Sequence, residues 1–355
     1  MELHQNDEIG AYRVVRGLGR GGMGAVYEVE HVKLGVRYAL KTFTLDHGHV
    51  ELFRKRFLAE GKVLARLSHP NIARVFDLDV LDGGRFAYFV MDLVRYKDGE
   101  SYTLADVEVG GADEEHLVRW FAQLASAVDY IHGVGIVHRD IKLDNILLND
   151  KGDVTLSDFG ISKFEGERIR SEVNVSRTMV SADGAAAGGL VMGTRGYMAP
   201  EILRGREASA ASDAYALGVT FFRLLTGMWY EAGTNALTLL EPFEGAWTDV
   251  LPQMLDADPK KRPTDLTALA ERLKASVTTG SPSPARTEVV LRDRRVPVRM
   301  TTRITRSMRA HPWRWLGLGA AAFAAFAAGA WLLCGGEGDG ASVYDRLYDI
   351  PGCVT

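Results

Sequence analysis

The stretch HRDIKLDN, residues 138–145, followed by DFG at 158–160, decides the reading of this chain. It places a carboxylate (Asp140), a cation (Lys142), an amide (Asn145) and a second carboxylate (Asp158) at the spacing that phosphoryl transfer from ATP requires. Asp140 is expected to accept a hydroxyl proton and Lys142 to sit beside the moving phosphoryl group, while Asn145 and Asp158 hold magnesium. The residues between the motifs support this placement. Ile146-Leu147-Leu148 and Val154-Thr155-Leu156 are short apolar runs around Asn149-Asp150-Lys151-Gly152-Asp153, the pattern of a hairpin. A hairpin returns Asp158 to the side of Asn145. Two oxygen donors from adjacent loops suit a small octahedral ion whose other ligands are phosphate and water.

Upstream, LGRGGMGAVY holds Gly19, Gly21 and Gly24, then Val26. Glycine lets backbone amides approach phosphate oxygens where a Cβ would clash. A strand follows this loop, whereas a dinucleotide-binding loop leads into a helix. Val26 and Ala39 suit the roof of an adenine pocket, with Leu18 at its edge. Tyr38-Ala39-Leu40-Lys41 ends an apolar strand on a lysine. Glu60 lies three residues after Phe57 and four before Leu64, on the buried face of a helix. An inward carboxylate needs a partner, and Lys41 is the expected one; the pair would hold the lysine against the α- and β-phosphates. Gly61 is expected to weaken this helix by about 1 kcal/mol relative to alanine.

Taken together, GRGGMGAVY, YALK, the helix glutamate with LSHPNI (67–72), HRDIKLDN, SDFG, GTRGYMAPE (193–201), SDAYALG (212–218) and DPKKRPT (258–264) make residues 12–274 resemble a bacterial Ser/Thr protein kinase of the eukaryotic-like (Hanks) type. The resemblance implies an α+β, bilobal protein-kinase fold, with a small β-rich N-lobe carrying one key helix and a larger helical C-lobe. The element pattern agrees. Strands are expected at Tyr12–Leu18, Ala25–Val29, Val36–Phe43, Val75–Asp79 and Phe86–Asp92, and a helix over 51–67. Helices are expected at Leu117–His132, Ser212–Thr226, Trp247–Leu255 and Leu266–Lys274. The resemblance further implies Met91 as gatekeeper, Asp92 and Val94 in an adenine-binding hinge, a Glu201–Arg262 pair, and Asp213 bracing the catalytic loop. Thr194 resembles the threonine that touches Asp140 and Lys142 and favours Ser/Thr substrates. ATP and Mg2+ are the implied cofactors, with Mn2+ as a substitute.

The remaining chain differs in character. Net charge is −4 over 355 residues, yet residues 281–314 hold nine arginines against Glu288 and Asp293. Residues 275–312 read as an Arg/Pro/Ser-rich juxtamembrane linker. Leu316 to Leu333 is uncharged, with Trp313, Trp315 and Trp331 at its ends. A run of about 18 to 20 apolar residues spans a bilayer core, and edge tryptophans suit its interfaces. A transmembrane helix is therefore expected at 313–334, with an external tail at 335–355. Arg303, Arg306, Arg309 and Arg314 orient the N-terminal part to the cytoplasm, making a single-pass protein of the inner (plasma) membrane. Cys334 and Cys353 are the only cysteines, so no disulfide framework is expected. The small-residue face Gly317, Ala321, Ala325, Gly329 suits a homodimer in the lipid bilayer.

These readings converge on a membrane-anchored, signal-transducing enzyme that phosphorylates Ser/Thr hydroxyls of proteins, not nucleic acid. Arg139, beside Asp140, calls for an anion, which a phosphorylated loop residue supplies. Among Ser171, Ser176, Thr178 and Ser181, autophosphorylation is expected at Thr178 or Ser176. A nucleotide-binding pseudokinase scaffold is opposed by intact Lys41, Glu60, Asp140, Asn145 and Asp158. A small-molecule kinase is opposed by the GTRGYMAPE segment, which would dock a peptide.

Overall fold

The structure is a computed structural model that describes residues 2–21, 24–44, 50–81, 86–159, 195–230, 236, 240, 246–278 and 289–292. All of them belong to the first of two compact units, Met1–Arg295. The apolar run at 316–333, with the expected span 313–334 and tail 335–355, lies outside the described residues. So do Thr194 and the hydroxyls of Ser171, Ser176, Thr178 and Ser181. Among the described residues no helix is long and apolar enough to cross a membrane.

The N-terminal part is a six-stranded antiparallel sheet in the order β1-β2-β3-β4-β6-β5. Its strands are β1 (Glu8–Ile9), β2 (Tyr12–Gly21), β3 (Gly24–His31), β4 (Arg37–Thr44), β5 (Val75–Leu81) and β6 (Phe86–Met91). Alternation along the strands divides the side chains between two faces. Tyr27, Val29, Leu40, Tyr88 and Val90 form one apolar cluster. Phe43 and Phe89 form another, against Phe57 and Leu64 of helix α1 (Val50–Leu64). Every residue of β6 is buried, as expected of a strand covered on both faces. Phe57 stacks on Phe89 at 4.3 Å between centroids.

Gly61 earns its place in α1 by close approach. A Cβ there would lie 2.4 Å from Leu78 Cδ2 and 3.0 Å from Phe89 Cε1. The intrinsic helix cost is thus offset by a tighter seat on the sheet.

The C-terminal part is helical: α2 (Glu114–Gly133), α3 (Pro200–Leu203), α4 (Ala210–Thr226), α5 (Trp247–Met254) and α6 (Leu266–Thr278). Asp113 caps α2 by accepting the His116 N–H at 3.0 Å, and Glu114 and Glu115 complement the helix N-terminus. Trp120, Phe121, Leu124, Val128 and Ile131 then fall on its buried face. Phe221 of α4 and Trp247 of α5 stack at 5.4 Å. The Trp120 indole donates to Gly152 O at 2.8 Å, which fixes a small sheet, β7 (Tyr102–Thr103), β8 (Ile146–Leu148) and β9 (Val154–Leu156), on the helical core.

Two ion clusters fasten this frame. Glu201 and Arg262 form a two-pronged pair, at 2.6 and 2.8 Å, and Arg262 also donates to Asp256 O and Ala211 O. Burial pushes the Glu201 carboxyl up, but the Arg262 fork, the Glu201 backbone N–H and Arg204 together hold the carboxyl below its ordinary value. In the sheet, buried Glu28 gathers Arg16 at 2.9 Å, Arg37 at 3.3 Å and Arg95.

The linker expected over 275–312 is not all connecting chain. Helix α6 continues to Thr278, and residues 289–292 lie along the loop at 106–111. Glu108 N–H donates to Val290 O (3.0 Å), Val290 N–H to Gly111 O (2.8 Å) and Arg292 N–H to Asp106 O (2.7 Å). Val289 enters the helical core.

Candidate active site

The β8–β9 hairpin forms as its sequence suggests, pairing Ile146 with Leu156 and Leu148 with Val154. Asn149 Oδ1 accepts the N–H groups of Lys151 and Asp153, and Gly152 supplies the left-handed residue of the turn at φ 73°. The returning chain bonds Ser157 N–H to Asn145 O at 2.8 Å and Ser157 Oγ to the same oxygen at 3.0 Å. Asp158 is thereby carried to the catalytic loop.

Within that loop, Asp140 Oδ2 accepts from Lys142 Nζ and from Asn145 Nδ2, both at 2.9 Å. Asn145 Nδ2 also donates to Asp140 O at 2.8 Å. Both amide protons of Asn145 are thus spent on Asp140, which orients its carbonyl oxygen away from that residue. Lys41 Nζ reaches Asp158 Oδ1 at 2.8 Å. The resemblance sends Lys41 to Glu60; the carboxylate it engages here is Asp158, while Glu60 is half-buried on α1, one turn from Phe57 and Leu64.

The sheet presents the remaining candidates by register. Val26 pairs with Lys41 and Ala39 with Met91, so all four share the face from which Lys41 reaches Asp158. The glycines divide into two kinds. A Cβ on Gly24 would lie 1.7 Å from Thr42 O, so this glycine is demanded by packing. A Cβ on Gly19 would meet nothing within 4 Å, so this glycine borders open space. Leu18 is half-buried at the register shift between Gly17 and Gly19, and Gly21 closes β2 opposite Gly24. In the expected hinge, Asp92 and Arg74 bond reciprocally: Asp92 N–H to Arg74 O (3.0 Å) and Arg74 N–H to Asp92 Oδ2 (2.8 Å). Val94 O accepts Ser101 Oγ at 2.8 Å.

Asp213 braces the catalytic loop by accepting the His138 N–H (2.7 Å) and the Arg139 N–H (2.9 Å), and it also contacts His132 Nε2 (2.9 Å). This bracing lets Arg139 adopt φ 69°; Asp158 is likewise left-handed at φ 62°. Such backbones cost on the order of 1–3 kcal/mol each and persist where surroundings over-determine them.

Sequence reasoning missed His138, although it opens the deciding motif. Its ring is fully buried, contacts Ser157 O through Nε2 at 3.1 Å and accepts the Asp140 N–H at Nδ1 over 3.3 Å. Burial pushes this imidazole pKa down, against the pull of Asp213 and Asp140, so the ring stays neutral. One neutral ring therefore sets the spacing between the loops of Asp140 and Asp158, and it packs on Phe159 at 4.6 Å.

The donor set suits a hard cation. Asn145 and Asp158 offer oxygen ligands on adjacent loops, and no group of three or more His, Cys, Asp or Glu suited to a soft or fully protein-caged metal occurs among the described residues.

With this fold and geometry, the chain belongs to the protein kinase domain family, whose model matches residues 12–274. It is 37% identical over 233 residues to the serine/threonine-protein kinase PknA of Mycobacterium tuberculosis, covering 65% of this chain and 50% of that one. It is 30% identical over 251 residues to the probable serine/threonine-protein kinase PknB of Lactococcus lactis, covering 70% of this chain and 36% of that one. This chain thus spans about half the length of the PknA relatives it matches. Among solved structures, the PknI kinase domain of Mycobacterium tuberculosis superposes with a TM-score of 0.57 at 26% identity, over 78% of this chain and 100% of that one.

Proposed function

We propose that this protein is an ATP- and magnesium-dependent Ser/Thr protein kinase. The reading is carried by one observation: Lys41, Asp140, Lys142, Asn145 and Asp158, from three segments of the chain, converge through bonds of 2.8 to 2.9 Å. Asp140 orients the substrate hydroxyl and takes its proton. The hydroxyl oxygen bonds to the γ-phosphorus of ATP as the bond to the β-γ bridging oxygen breaks, and ADP leaves with that electron pair. Lys142 stabilises charge on the migrating group. Lys41 exchanges its carboxylate for the α- and β-phosphates, which a lysine does readily because it acts as a point charge. Asn145 and Asp158 would hold magnesium, which neutralises phosphate charge when bound.

Around this centre, Leu18, Gly19, Gly21, Gly24, Val26 and Ala39 cover the nucleotide, Met91, Asp92 and Val94 meet its base, and Glu60 of α1 would take Lys41 over once Asp158 turns to the metal. The names of the relatives support Ser/Thr hydroxyls as acceptors. Membrane anchoring through 313–334 rests on the apolar run and its arginine flank. A signalling role and loop autophosphorylation at Thr178 or Ser176 rest on the cation at Arg139.

The test is magnesium-dependent transfer of label from [γ-³²P]ATP to protein by wild type, Asp140→Asn and Lys41→Met. Label incorporation by wild type, reduced about 100-fold or more in each variant, is expected. Nucleotide binding without transfer in wild type would instead identify a scaffold.

A further inference from the structure

Arg262, Arg16, Arg37 and Arg95 of the frame are matched by carboxylates; among the described residues Arg223 is held differently. It lies in the last turn of α4, and among the described residues it forms no ion pair with a carboxylate. Its surroundings are aromatic. The guanidinium carbon is 3.6 Å from the Trp229 ring centroid and 5.4 Å from that of Tyr197, and Nη1 donates to Tyr197 Oη at 2.5 Å. Ring faces stabilise a cation without consuming its N–H donors, so the rest of the fork keeps its capacity for an in-plane, two-pronged acceptor. A carboxylate or a phosphoryl group is such an acceptor.

This arrangement is built, and it stands beside the reaction. Trp229 lies over Gly196, where a Cβ would come within 2.4 Å of the ring, and it meets Tyr197 edge to face at 5.3 Å. Tyr197 is buried, and the backbone of Leu143, the residue after Lys142, lies near its hydroxyl. Tyr197 therefore links the neighbourhood of Leu143 to Arg223, to which it is bonded. Trp229 and Met228 remain 44% and 42% exposed, an apolar surface next to an unmatched cation. Gly196 and Tyr197 also belong to the GTRGYMAPE segment, expected to run alongside a bound peptide.

We propose that Arg223, held between Trp229 and Tyr197, recognises an anionic side chain a few residues from the phosphorylated hydroxyl, so that the preferred substrates are acidic or already phosphorylated. This rests on the phosphotransfer reading above.

The test uses the full chain and serine peptides in which each flanking position carries in turn Ala, Lys, Glu or phosphoserine. In wild type, one position is expected at which Glu or phosphoserine raises kcat/KM over Ala by roughly tenfold, the scale of a charge-assisted hydrogen bond. A larger rise for phosphoserine than for Glu assigns primed substrates; equal rises assign acidic ones. Arg223→Glu should transfer the preference at that position to Lys. Trp229→Ala, which leaves the charge in place, should diminish the anion-to-Ala ratio. Phosphorylation with no anionic preference at any position in wild type overturns this inference alone. So does a preference that persists unchanged in Arg223→Glu. Failure of wild type to phosphorylate any peptide or protein removes the kinase reading beneath it.

Discussion

Two sets of ion pairs in this molecule obey opposite rules. The frame pairs Glu201 with Arg262, whose side chains are 5% and 0% exposed, and ties the arginine to two backbone carbonyls as well. The site pairs Lys41 with Asp158 and Lys142 with Asp140 through single contacts, with exposures between 16% and 26%. Arginine's planar fork locks one partner in place, whereas lysine's compact charge can change partner without repacking. The frame thus uses arginine where nothing should move. The site uses lysine where a carboxylate must yield to a phosphate.

Breaking one member of each set should separate activity from stability. Asp140→Asn is expected to remove activity by about 100-fold or more while leaving the melting temperature near wild type, checked by label transfer and calorimetry on one sample. Arg262→Ala should do the reverse in kind: it strands a buried carboxylate and should cost about 3–5 kcal/mol in chemical unfolding. A variant of normal stability would show that Glu201 finds water or another partner. Glu28→Ala leaves three arginines facing one another, but each is about 40% exposed, so screening should hold the loss to about 2 kcal/mol. Val289→Ser should cost about 1–2 kcal/mol and abolish hydrogen-exchange protection at Glu108 and Val290.

Acid offers the gentlest comparison. His138 has a pKa in the fold below its ordinary value, so the unfolded chain binds the proton more readily. Its contribution is complete above about pH 6.5 and is lost as pH falls toward the depressed value. Glu201, also depressed, loses its contribution at still lower pH. Melting temperature should therefore fall on acidification from about pH 7 to about pH 5, and the slope in that window should flatten in His138→Gln.

The catalytic loop was legible because its parts lie within eight residues and a five-residue turn returns Asp158 to them. The strands and long helices were legible from their periodicity, to within a few residues at each end. Other features hid for physical reasons. Lys41 and Asp158 are 117 residues apart in the chain, and no local pattern ranks Asp158 against Glu60 as the lysine's partner. Glu28 sits in VYEVEH, where alternation alone makes it a solvated charge like Glu30; its three arginines come from β2, β4 and the hinge. The docked segment at 289–292 hid in a stretch whose Ser, Pro and Arg content outweighs the single apolar cue Val289-Val290-Leu291. His138 was overlooked because a neutral ring bonding two backbone groups carries no charge signature.

With the membrane anchor proposed at 313–334, that docked segment would also set a tether length. Measured from the end of α6 at Thr278, the chain to Trp313 has 35 residues and reaches at most about 120 Å when fully drawn out. Measured from Arg292, where the last backbone bond to Asp106 is made, 21 residues remain, with a ceiling of about 75 Å. Undocking four residues would therefore lengthen the leash by more than half and enlarge the set of hydroxyls within its radius.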